Sequence, residues 1–153
     1  MHQLIGKYMN NELLKKVEAI IDKDAPLISN LANISSILNE MDNINWCGFY
    51  LVKGTDLYLG PFQGEVACIK IPFGKGVCGS AAVRKESIIV DNVLEFKGHI
   101  ACSSKSRSEI VTPVIKEDRV VAIIDIDAPI FNRFNNDDKE LLEAVANKLE
   151  DLF

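Results

Sequence analysis

The chain has 153 residues, 48% hydrophobic and 25% charged, with a formal net charge of −5. A chain of this length reads as one domain that can bury a core without disulfides or metals. The acidic balance, with no Lys/Arg cluster, excludes a nucleic-acid footprint, and no apolar run approaches the ~18 residues of a membrane span. Met1 to Lys7 lacks a basic segment followed by an apolar core, so no secretory signal is expected. A cytoplasmic, reducing setting follows, where the four cysteines (47, 68, 78 and 102) are free, catalytic or metal-bound rather than a structural framework.

Leu13, Leu14, Val17, Ile20 and Ile21 recur at helical spacing and predict a helix from Asn10 to Asp24. Pro26 suits the first turn of a second helix that runs to Met41, with Leu27, Leu31, Ile34, Ile37, Leu38 and Met41 on its apolar face. Strands are predicted at 45–53 and 57–62, joined by a turn at Gly54-Thr55-Asp56, with Gly60-Pro61 weakening the second. A third strand, 65–71, stops at Pro72. Gly76 to Glu86 reads as a short helix, 87–90 as a brief strand and 91–107 as mostly loop. Ser108–Lys116 and Arg119–Asp127 are dense in Val and Ile and read as central strands. Asn135 or Asn136 can cap a last helix, with Leu141, Val145, Leu149 and Leu152 as its buried stripe. The order is that of an α+β domain with a mainly antiparallel sheet of about six strands. One domain covers 1–153, with N-terminal helices in 1–42, sheet and loops in 45–127, and the C-terminal helix in 136–153.

Cys102 lies in a loop of small polar residues, three positions after His99 and shortly before Lys105 and Arg107. Nearby positive charge lowers a thiol's pKa and makes it a nucleophile. A flexible loop holding an inert cysteine fits the same residues equally well. Gly74-Lys75-Gly76-Val77-Cys78-Gly79 matches the dinucleotide pattern G-x-G-x-x-G, but no parallel βαβ unit is visible around it. A tight turn whose backbone N–H groups hold an anion, such as a carboxylate, reads better. Cys68, Cys78, Cys102 and His99 lack the C-x-x-C pair that zinc sites favour, so neither metal nor cofactor is expected. Cys47, beside Trp46 on a strand, reads as a small core hydrophobe. Asp125 and Asp127 lie two apart on a strand and share a face, and Glu109 begins the neighbouring strand. Three carboxylates at one end of a sheet suit a small cation such as an ammonium group; the plain polar end of a strand is the alternative.

These pieces occur together in a specific combination. Gly60-Pro61-Phe62-Gln63-Gly64, Ala67-Cys68-Ile69, Phe73 to Gly79, Gly98-His99-Ile100-Ala101-Cys102 and Ser108-Glu109-Ile110-Val111 closely resemble the free methionine-(R)-sulfoxide reductases, small enzymes built on a GAF domain. The resemblance implies a central antiparallel sheet, with helices on one side and a ligand pocket under loops on the other. It implies reduction of the R epimer of free methionine sulfoxide, with Cys102 as nucleophile, Cys68 as resolving cysteine and Cys78 as an auxiliary one. Glu109, Asp125, Asp127, Trp46 and Tyr50 match positions lining the substrate pocket, with Glu109 expected as proton donor and the two aspartates on the ammonium group. A thioredoxin-like reductant, a homodimer, and no cofactor, nucleic-acid or membrane partner complete the expectation. A GAF module that only binds a small ligand, or a thiol redox sensor without turnover, is the alternative.

Overall fold

The computed structural model describes residues 1–100 and 102–153; Ala101, within the Gly98–Cys102 motif, lies outside the described residues. Helix α1 spans His2–Ile20, starting well before the predicted Asn10. Leu4, Ile5 and Tyr8 in its early turns are exposed, so no buried stripe marks this part of the helix in the sequence. Helix α2 covers Leu27–Leu38, with Pro26 at its N-cap, and is shorter than the apolar pattern to Met41 suggests.

Six strands form one sheet: β1 (Trp46–Lys53), β2 (Asp56–Gln63), β3 (Lys70–Pro72), β4 (Ile88–Val90), β5 (Ser108–Lys116) and β6 (Arg119–Ala128). Their order is β3-β2-β1-β6-β5-β4, and every neighbouring pair is antiparallel. Glu117 and Asp118, which join β5 to β6, both take positive φ (51° and 64°), as a two-residue turn matched to strand twist requires. Pro61 and Pro113 lie within strands, which ordinarily loses a ladder bond. Here β3 pairs only with Asp56–Tyr58 of β2, and β4 only with Glu109–Val111 of β5. Each proline therefore faces an edge where the outer strand has already ended.

The predicted third strand, 65–71, shrinks to Lys70–Pro72, which places Cys68 in a loop rather than on a strand. Val66 and Ile69 are both exposed, so the apolar character that suggested a strand has no core to face. The loop arches instead toward Cys102.

Side chains alternate between two cores across the sheet. Cys47, Phe49, Ile110, Ile124 and Ile126 point toward α1, α2 and the last helix, α4 (Asn136–Leu149). Tyr50, Val111 and Ile123 point the other way, toward α3 (Gly76–Arg84). Cys47 is thus core filler on the helical face. Asn135 caps α4 through a reciprocal pair of bonds with Asp138.

Helix α3 carries the chain from edge strand β3 to the opposite edge strand β4, so the glycine-rich stretch opens an edge-to-edge crossover and not a parallel βαβ unit. A Cβ on Gly79 would stand 2.5 Å from the Pro72 carbonyl oxygen. Close backbone packing accounts for that glycine. No helix among the described residues is long and apolar enough to cross a membrane.

Candidate active site

Strand register assembles the site. Across β1 and β6, Trp46 lies opposite Asp127, Gly48 opposite Asp125 and Tyr50 opposite Ile123. Across β5 and β6, Glu109 lies opposite Asp127 and Val111 opposite Asp125. Directly paired residues share a face, so both aromatics and all three carboxylates point to the α3 side at one end of the sheet.

There they line one cavity of about 40 Å³, together with Cys78 and the start of α3, and with His99, Cys102 and Ser106 from the long loop. Cys68 closes it from outside. Its sulfur is bonded to Cys102 across 34 residues of chain, and its carbonyl accepts a 2.9 Å hydrogen bond from the Tyr50 hydroxyl. Trp46 stacks on Phe62 (centroids 5.2 Å apart) and on Tyr50 (6.0 Å), and its indole N–H donates to the Glu65 carbonyl. Cys68, Cys78, Cys102, Glu109, Asp125, Asp127, Trp46 and Tyr50 therefore meet in one place.

The electrostatics of the cavity are those of crowded acid held away from water. Burial first, and then Asp125 and Asp127, push the Glu109 carboxyl well above its usual range. Asp127 is pushed well up by burial and by Asp125. Asp125 is raised by burial, while hydrogen bonds from Glu109 and Cys78 pull it back. The Cys78 thiol is also driven well up, by burial and then by Asp125 and Glu109, so it rests as a thiol. None of the three carboxylates has a Lys or Arg partner within salt-bridge reach among the described residues. Asp125 Oδ1 and His99 Nδ1 are buried and have no hydrogen-bond partner among the described residues. Burial lowers the His99 pKa, with Asp125 opposing. Buried polar atoms left unpaired in a native fold call for a partner, and here the cavity faces them.

Lys105 and Arg107 are occupied elsewhere. The Lys105 ammonium sits 2.5 Å from a Glu65 carboxylate oxygen, tying the Cys102 loop to the Cys68 loop. Arg107 donates to the carbonyls of Ser104 and Ser106 and braces its own loop. Ser106 went unnoticed in the sequence. It is buried, accepts a 3.3 Å bond from Asn45 Nδ2, and its hydroxyl beside Asp127 partly offsets the rise of that carboxyl. A serine among several others in a polar loop carries no spacing signal that could have revealed it.

Residues 31–152 match the GAF domain family. The chain is 40% identical, over 91% of its own length and 85% of the relative's, to the free methionine-R-sulfoxide reductase of Escherichia coli strain K12. It superposes on the structure of fRMsr of Staphylococcus aureus in its reduced form with a TM-score of 0.89, at 46% identity and 94% coverage of both chains. It superposes equally well on free methionine-R-sulfoxide reductase from Neisseria meningitidis in complex with its substrate, with a TM-score of 0.91, 38% identity, and coverage of 96% and 89%.

Proposed function

The chain belongs to the free methionine-(R)-sulfoxide reductases of the GAF domain family, and from that premise we propose how its residues carry the reaction. The enzyme reduces free methionine (R)-sulfoxide to methionine. The observation that carries the mechanistic reading is the Cys68–Cys102 disulfide at the mouth of a cavity lined by three carboxylates.

Substrate binding follows the charges. Asp125, whose Oδ1 has no partner among the described residues, and Asp127 receive the ammonium group, since no lysine or arginine among the described residues pairs with either. The N-terminus of α3, which has no side-chain cap, offers the N–H groups of Val77 and Cys78 to the substrate carboxylate. Trp46 and Tyr50 give aromatic faces to the methyl-sulfur end, since sulfur packs well against rings.

Chemistry begins with the disulfide reduced. Oxygen is a poor leaving group until protonated, and Glu109, held neutral by burial and two neighbouring carboxylates, supplies the proton. The Cys102 sulfur attacks the sulfoxide sulfur, the S–O bond breaks, methionine leaves, and the oxygen ends on Cys102 as sulfenic acid. Cys68 then attacks the Cys102 sulfur, expelling water and forming the disulfide. A thioredoxin-like dithiol reduces that disulfide and is itself oxidised, with Cys78 available as an auxiliary exchange partner. A reducing cytoplasm suits this cycle. Exposed Leu4, Ile5 and Tyr8 on α1 support pairing of two copies.

The test is incubation with racemic free methionine sulfoxide and dithiothreitol, followed by chiral quantification. Selective loss of the R epimer with stoichiometric methionine is expected; an untouched R epimer would refute the reading.

A further inference from the structure

The sulfur of Cys78 and carboxylate oxygens of Glu109 and Asp125 all lie within 4.8 Å of one another, and all three residues are buried. The reductase cycle gives Glu109 and Asp125 to the substrate but uses Cys78 only as an auxiliary thiol, so the place of that sulfur against the two carboxyls has no role in the chemistry at Cys102. We propose that in the disulfide form these three groups bind one borderline-soft divalent cation of the zinc class.

Four observations support this site. First, the donor set is right. One thiolate with two carboxylates suits a borderline-soft ion, and leaves a fourth tetrahedral position open to water. Second, the spacing is close. An ion ~2.0–2.3 Å from each donor needs donor–donor separations of roughly 3.3–3.8 Å, so the set closes by at most about 1.5 Å. Third, Asp125 is 6% exposed and its Oδ1 has no hydrogen-bond partner among the described residues, although it faces the cavity. Fourth, no lysine or arginine among the described residues pairs with Glu109, Asp125 or Asp127, so no ion pair has to be broken for a cation to reach them.

The size of the space adds selectivity. With Cys102 bonded to Cys68, the cavity is about 40 Å³, room for roughly three waters and not for an amino acid. An ion with one or two waters fits. Binding displaces the Cys78 thiol proton and any carboxyl proton to solvent, and leaves the oxidation state of every group unchanged. The ion occupies the place assigned above to the substrate ammonium, so it excludes substrate; that consequence rests on the binding reading of Asp125.

Cobalt(II) makes the site visible, because thiolate–cobalt bonds absorb in the near ultraviolet. In the oxidised protein Cys47 and Cys78 are the free thiols, and Cys47 lies in the core on the helical face. Titrating metal-free, oxidised protein with cobalt should give that absorption, saturating at one ion per chain, with zinc displacing it. C78S should abolish the band and C47S should keep it. No band, or one that survives C78S, overturns the proposal. Should C78S fail to fold, E109Q and D125N decide the matter instead: cobalt affinity about tenfold weaker or worse supports the site, and unchanged affinity overturns it. Turnover assayed separately with chelator present tests the reductase reading alone, so the two can fail independently.

Discussion

Gly48 of β1 and Phe62 of β2 meet so closely that a Cβ on Gly48 would stand 2.3 Å from the Phe62 Cβ and 2.8 Å from its Cα. The missing side chain lets β2 close onto β1 at the register shift beside Gly48, which brings the Phe62 ring onto Trp46. Because backbone atoms are among those that would clash, the collision cannot be relieved by a rotamer change. G48A should destabilise the fold by about 1–3 kcal/mol. That corresponds to a melting temperature lower by roughly 2–12 °C. Differential scanning calorimetry checks the shift, and Trp46, the only tryptophan, should report it in fluorescence.

Glu109, Asp125 and Asp127 make stability depend on pH in an unusual direction. All three titrate above their ordinary values of 4.5 and 3.8 because burial disfavours their charged forms. A carboxyl raised by folding contributes stability that is complete below its ordinary value. That contribution is lost as pH climbs through the raised, folded value. The substrate-free enzyme should therefore weaken from acid toward neutral pH. E109Q removes one of the three crowded carboxyls and should melt higher than the parent at pH 7–8, with the gap closing toward pH 4. Its turnover should fall about 10²–10⁴-fold as the proton donor is lost. A variant less stable than the parent at pH 8 would contradict this account.

The two bonded cysteines separate by single-turnover chemistry. C102S should release no methionine at all. C68S should release one equivalent of methionine from reduced enzyme and then stall with a thioredoxin-type reductant. Rapid quench with chromatography counts the equivalents, and sustained turnover by C68S would remove Cys68 from the resolving role.

Asp138 anchors the far side of the helical layer. It takes an N–H bond from Asn10 of α1, pairs with Arg133 at 3.1 Å, and completes the Asn135 cap of α4. The Asp138 side chain is 5% exposed, and its removal strands both partners. D138A should cost about 3 kcal/mol, from the broken buried pair and the lost cap together. Chemical denaturation measures it, and turnover per folded molecule should stay at the parent's level.

Lys105 and Glu65 form the opposite case. Both side chains are more than 60% exposed, so K105A should change stability by less than about 1 kcal/mol. With its ammonium held by Glu65, Lys105 should not tune Cys102. The pH profile of Cys102 alkylation in reduced K105A should superimpose on the parent's; displacement to higher pH would reinstate the lysine as an activator.

Much of this protein was legible from local pattern. Turn residues at Glu117-Asp118, the Asn135 cap, and the Val/Ile density of β5 and β6 act over a few neighbours, so the sequence determines them directly. The spacing of Asp125 and Asp127 likewise committed both carboxylates to one face of β6. The start of β5 beside the end of β6 set Glu109 with them, and the family resemblance supplied the partner of Cys102.

Other features depended on the whole fold. Residues 65–69 carry apolar side chains yet form a loop, because no core lies beneath Val66 and Ile69. The first turns of α1 bury little and left no periodic trace. Ser106 reaches Asp127, and Lys105 reaches Glu65, only because segments far apart in sequence come together. Local propensity sets which way a side chain points from its own strand or helix. Which side chains then meet is decided by strand register and loop closure, and those exist only once the chain has folded.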